Sequence, residues 1–126
     1  MKTRVLMAAS AVFLGILAVA SLFAPDEILK AAAVPASPLL PPLVQLCAAL
    51  LLGFAMMNWM AKGSRIGGIY LRPIAMGNVI HFAVGALTLD RFFLRGHHEW
   101  PVIVLAAVYT LFAIGFAMVV FGRGDA

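Results

Sequence analysis

Charged residues cut this chain into four long apolar stretches. No Asp, Glu, Lys or Arg falls within residues 5–24 or 42–61, between Pro73 and Leu89, or between Pro101 and Phe121. A helix of ~20 residues crosses the ~30 Å hydrocarbon layer of a bilayer, so each stretch predicts a transmembrane helix. The third is the shortest, with 17 uncharged residues. Arg91 and Arg95 carry long apolar stems that can snorkel, which lets the helix run on to about Leu94. The predicted spans are therefore 5–24, 42–61, 73–94 and 101–121, within one transmembrane domain covering 1–126. Proline placement agrees. Pro42, Pro73 and Pro101 each stand at or near the first turn of a span, where a missing N–H costs nothing. Between the first two spans, Pro35, Pro38, Pro41 and Pro42 end any helix begun at Pro25 and give a stiff, extended return to the membrane. The expected fold is all-α, a four-helix transmembrane bundle.

The first stretch has a rival reading. "MKTR", an apolar run and "AVA" at 18–20 resemble a signal peptide cleaved before Ser21. A signal core is typically ~7–15 residues, and the uncharged run here is 20. Retention as a true span is the expectation.

Composition fits the pattern. Hydrophobic residues make up 64% of the 126 and charged residues 11%, against about 45–50% and about 25% in soluble domains. There is too little polar surface to cover a water-soluble globule. The net charge of +4 would suggest nucleic acid in a soluble protein. Here the nine Lys and Arg are scattered singly beside the ends of spans, which is the ordinary membrane pattern, so no nucleic-acid partner is expected. One cysteine, Cys47, allows neither an internal disulfide nor a multi-cysteine metal site. With the N-terminus inside, Lys2, Arg4, Lys62, Arg65, Arg72 and Arg123 lie on the cytoplasmic side, and Lys30, Arg91 and Arg95 outside. That six-to-three bias predicts N-in, C-in in a bacterial-type inner membrane.

Polar residues inside the spans carry the candidate chemistry. Asn78, His81, Gly85 and Thr88 recur at three- and four-residue steps and share one face of the third span. Gly77 and Gly85 flank His81 one turn either side and would let a helix or a flat ligand approach closely. Asn58 on the second span and Tyr109 on the fourth are the partners this face should find. One account is a packing seam with interhelical hydrogen bonds. The other is a groove in which His81, Asn78, Asn58 and Tyr109 hold a quinone, haem or lipid, since intramembrane ionisable groups are functional candidates by default. Packing is the better-supported account, and no cofactor is expected: no second histidine lies within a span, so a bis-histidine haem would need a partner chain.

The turn "AKGSRIGGIYLR" offers Lys62, Arg65, Tyr70 and Arg72 as a lipid-headgroup cradle. The plainer reading is a positive-inside loop with Trp59 and Tyr70 as interface anchors. On the outer side "DRFFLRGHHEW" holds Asp90, His97, His98 and Glu99. These are proper metal-ligand types, but the spacing suits no tight site and none is expected. Asp90 and Arg91 are expected in weak rim ion pairs with Asp26, Glu27 and Lys30. No catalytic set of Ser, His and Asp, no paired carboxylates and no nucleotide loop can be assembled. Small multidrug transporters have the same span count but need a membrane-embedded carboxylate. Fluoride channels need a Thr- and Ser-rich helix break. Neither feature is read here, with Asp90 placed too near the rim.

In layout, and in the stretch "NWMAKGSRIGGIYLRPIAMGNVIHF" at 58–82, the chain resembles the uncharacterised small four-span bacterial inner-membrane proteins. That resemblance implies no activity. The expectation is a multi-pass inner-membrane protein in contact with the bilayer, packing against itself or a larger membrane complex in a structural, accessory or assembly role. Binding of a lipophilic ligand at the Asn78/His81 face is the alternative. A membrane enzyme working on a headgroup near Tyr70 and Arg72 comes third.

Overall fold

The computed structural model describes residues 2–63 and 71–122, and among them the fold is entirely helical. Its helices are α1 (Lys2–Phe23), α2 (Pro25–Ala31), α3 (Leu40–Ala61), α4 (Leu71–Leu94) and α5 (Trp100–Phe121). Four of them, α1, α3, α4 and α5, are long and apolar enough to cross a membrane. The fifth, α2, amends the four-helix reading with one short element in the first connection. It forms because Pro25 sits in its first turn, with Asp26 and Glu27 at the N-terminal end and Lys30 in the last turn. Those charges match the helix dipole.

The long helices form two pairs, α1 with α3 and α4 with α5, and the pairs join through thinner α1–α5 and α3–α4 contacts. Within the first pair the chains run antiparallel. Ser10 meets Asn58 near one end, and Leu22 meets Gln45 near the other. The second pair is closed by a short turn at Gly96, whose φ of +101° is a left-handed geometry that suits glycine. At the end of that turn Glu99 stands at the N-terminal boundary of α5 without a side-chain capping bond, its Oε2 buried and without a hydrogen-bond partner among the described residues. A carboxylate at a helix N-terminus gains from the dipole.

Aromatic rings hold the two pairs together. Phe82 on α4 stacks on Phe116 and packs against Phe112 and Tyr109, all on α5. Phe13 of α1 meets Tyr109 and Phe112, and Phe54 of α3 stacks on His81. Every long helix thus contributes to one aromatic core, with each good pair worth ~0.5–1.5 kcal/mol beyond its buried area. The outward faces are apolar too: Leu50, Met60, Leu87 and Leu111 are each more than 60% exposed. A fold in water would not leave this much continuous apolar surface uncovered.

Candidate functional site

Helix α4 carries two polar clusters, one turn apart, on different partners. The first is built on Asn78, which is fully buried, as is Asn58 opposite it on α3. Their carboxamides pair reciprocally: Asn58 Nδ2 donates to Asn78 Oδ1 at 2.7 Å, and Asn78 Nδ2 donates to Asn58 Oδ1 at 2.7 Å. The second hydrogen on Asn58 goes to Ser10 Oγ of α1 at 3.0 Å, and the second on Asn78 to the Ile74 carbonyl at 2.8 Å. Ser10 in turn donates to the Met7 carbonyl. A carboxamide has two donor hydrogens and a hydroxyl one. Every polar side-chain hydrogen of the three residues is therefore placed, and each amide oxygen accepts a bond. This cluster is closed, and it ties α1, α3 and α4 at one level.

The second cluster is His81 with Tyr109. His81 Nε2 lies 2.9 Å from the Tyr109 hydroxyl on α5, and the half-buried imidazole is flanked by Phe54, Phe82 and the Tyr109 ring. Gly85 creates the space. A Cβ there would stand 2.5 Å from two carbons of the Tyr109 ring, well inside van der Waals contact. Gly77 differs: a Cβ there would meet the Phe54 ring at 3.7 Å, an ordinary van der Waals contact. Unlike the asparagines, this pair is not saturated. If the phenol donates to Nε2, the hydrogen on Nδ1 is left over. If Nε2 donates, the phenol hydrogen and the Nδ1 lone pair are left over. Nδ1 makes no hydrogen bond among the described residues.

Asn78 and His81 of the third span and their expected partners are thus split into two pairs, Asn58–Asn78 and His81–Tyr109. Ser10, the third member of the closed cluster, was missed from the sequence. Its signal is faint: it falls on the Met7, Ala11, Leu14, Ala18 face, buried throughout, but one hydroxyl in an apolar run announces no partner. Of the proposed headgroup cradle, Arg65 and Tyr70 lie outside the described residues. Lys62 folds back on its own helix, Nζ 3.7 Å from the centre of the Trp59 ring and 3.3 Å from the Trp59 carbonyl. Arg72 is exposed in the first turn of α4.

Asp90 differs from its expected rim position. Its carboxylate turns inward to Thr110, whose Oγ1 lies 3.0 and 3.3 Å from the two oxygens. Thr110 is ten residues into α5, so the acid reaches deeper along the bundle than its place near the end of α4 suggests. The His97 ring stacks on Phe92, and the His98 ring lies tilted against Phe93.

Compared with protein-family models, with curated proteins and with solved structures, the chain matches none.

Proposed function

We propose that the chain is a multi-pass protein of a bacterial-type inner membrane, N-in and C-in, with a structural, accessory or assembly role exerted through helix packing. The observation that carries this reading is the closed Ser10–Asn58–Asn78 cluster. Polar groups in an apolar bundle that are spent on one another fix helix register and leave no chemistry over. What the bundle then presents sideways is apolar surface, suited to lipid and to the helices of a second copy or a larger complex. Purification from native membrane in mild detergent, followed by mass spectrometry, tests it. A co-purifying membrane protein in fixed ratio, or a stable homo-oligomer, is the expected result. A monomer without partners overturns it.

A second reading rests on the unsatisfied His81–Tyr109 pair. An imidazole with one nitrogen held and the other unpaired is poised to bond a quinone carbonyl or ligate a haem iron. Both hydrogens on Asn78 are already used, so this reading narrows to His81 and Tyr109. An absorption spectrum and quinone analysis of the same preparation distinguish it from the first.

Orientation rests on the six-to-three distribution of Lys and Arg. Single cysteines on a Cys47→Ser background should react with an impermeant thiol reagent in intact cells at positions 37 and 97. Labelling at position 64 from outside would reverse the topology.

A further inference from the structure

Between the two helix pairs, toward the end of the bundle that carries α2, lies an open apolar cleft of ≈ 440 Å³. Ser21 and Leu40 stand at its rim, Cys47 and Leu51 along one wall, and Gly85 and Tyr109 at the floor. The rim and floor are set by position along the helices. Ser21 is two residues from the end of α1, and Leu40 is the first residue of α3. Leu51 is eleven residues further on, ~16 Å down the axis at ~1.5 Å per residue.

Polarity is distributed along that axis. The floor and wall are apolar, and the Tyr109 hydroxyl is engaged with His81. Among the described residues lining the cleft, one hydroxyl has its hydrogen unspent. The hydroxyls of Ser10 and Thr88 bond the carbonyls of Met7 and Val84. The Ser21 hydroxyl makes no hydrogen bond among the described residues, although Ser21 is only 6% exposed and lines the cleft. Its oxygen is open to the cleft rather than sealed in the core, so a ligand oxygen seated there can accept its hydrogen.

We propose that this cleft binds a single-chain amphiphile of the fatty-acid class, its oxygen-bearing end at Ser21 and its chain running down to Tyr109. The volume lies within the ~300–1,000 Å³ of small-molecule sites. One hydroxyl at one end and an apolar lining elsewhere match a molecule with a single polar end. The polar end of the cleft faces the rim of the bundle, the orientation in which such a molecule already stands in a leaflet. This inference rests on the membrane reading above.

The test uses the full chain in lipid nanodiscs and a long-chain fatty acid bearing a photoactivatable group at its methyl end. Adducts are mapped by mass spectrometry. The expected result is a several-fold excess on Val44, Cys47 and Leu51 over Leu46 and Leu50, which face away on the same helix. Unlabelled fatty acid should suppress the first set and spare the second. It should also slow the reaction of Cys47, the chain's single cysteine, with a membrane-permeant maleimide. Val44→Trp, with helicity and monodispersity checked, should abolish the excess by filling the cleft. Ser21→Ala keeps the space and should remove the preference for the free acid over its methyl ester. Equal adducts on both faces, or stronger labelling by a photoactivatable two-chain phospholipid, overturn the proposal and leave the membrane reading standing. Recovery of the chain from the soluble fraction overturns both.

Discussion

Asn78 and His81 stand three residues apart on α4, yet one is locked into the fold and the other is left with spare valence. Asn78 faces α3, gives one hydrogen to Asn58 there, and gives the other to the Ile74 carbonyl of its own helix. His81 faces α5, finds one phenol, and keeps a nitrogen without a partner. Burial follows the same division: Asn58 and Asn78 are fully buried, while His81 is half-buried. The difference teaches where rigidity ends and adaptability begins. A saturated polar cluster specifies one arrangement of its helices, because any shift strands several groups at once. An unsaturated pair tolerates movement, and it can accept a further hydrogen bond from outside.

The largest effect should come from breaking the closed side. Asn58→Leu leaves the Asn78 amide and the Ser10 hydroxyl short of partners in a buried site, and should lower stability by about 3 kcal/mol. Thermal unfolding in mild detergent would measure it. Combining it with Asn78→Leu should cost much less than the sum of the two single changes, with a coupling of about 1–2 kcal/mol in a double-mutant cycle. Additive losses would mean that the two carboxamides do not act as a pair.

Gly85→Ala tests how the open pair is seated. The new methyl cannot coexist with the Tyr109 ring in its present place, so the ring must swing and pull its hydroxyl from His81. Overpacking of this kind costs about 2 kcal/mol. The bond itself is worth less. Tyr109→Phe keeps the ring and removes only the hydroxyl, so the loss should be about 0.6 kcal/mol, the mean for interhelical hydrogen bonds in membranes. If Tyr109→Phe proved as damaging as Asn58→Leu, the contrast between a closed and an open cluster would fail.

How far the sequence reached can be judged from particular residues. The helices were legible to within a few positions: 42–61 against Leu40–Ala61, and 73–94 against Leu71–Leu94. The candidate polar residues were legible as a set, because an amide and an imidazole in an apolar run stand out. Their partition into two pairs was not legible, nor was the part played by Ser10. Asp90 shows the limit most plainly. Its neighbours in the chain, Arg91 and Arg95, suggested a rim charge, whereas its side chain turns to Thr110, twenty residues away.

The amino-acid sequence by itself determined the all-helical class, the four long apolar helices and their approximate ends. Those properties are local: they depend on runs of apolar residues, on where charges interrupt them, and on proline at a first turn. Tertiary structure alone decided which helix lies against which, the level at which Ser10, Asn58 and Asn78 meet, and the cleft left between the two pairs. An apolar helix with nearly uniform faces carries little information about its neighbours. Its rotation and partner are set by a few contacts between distant positions, such as a glycine that admits a ring or a carboxamide that meets its match.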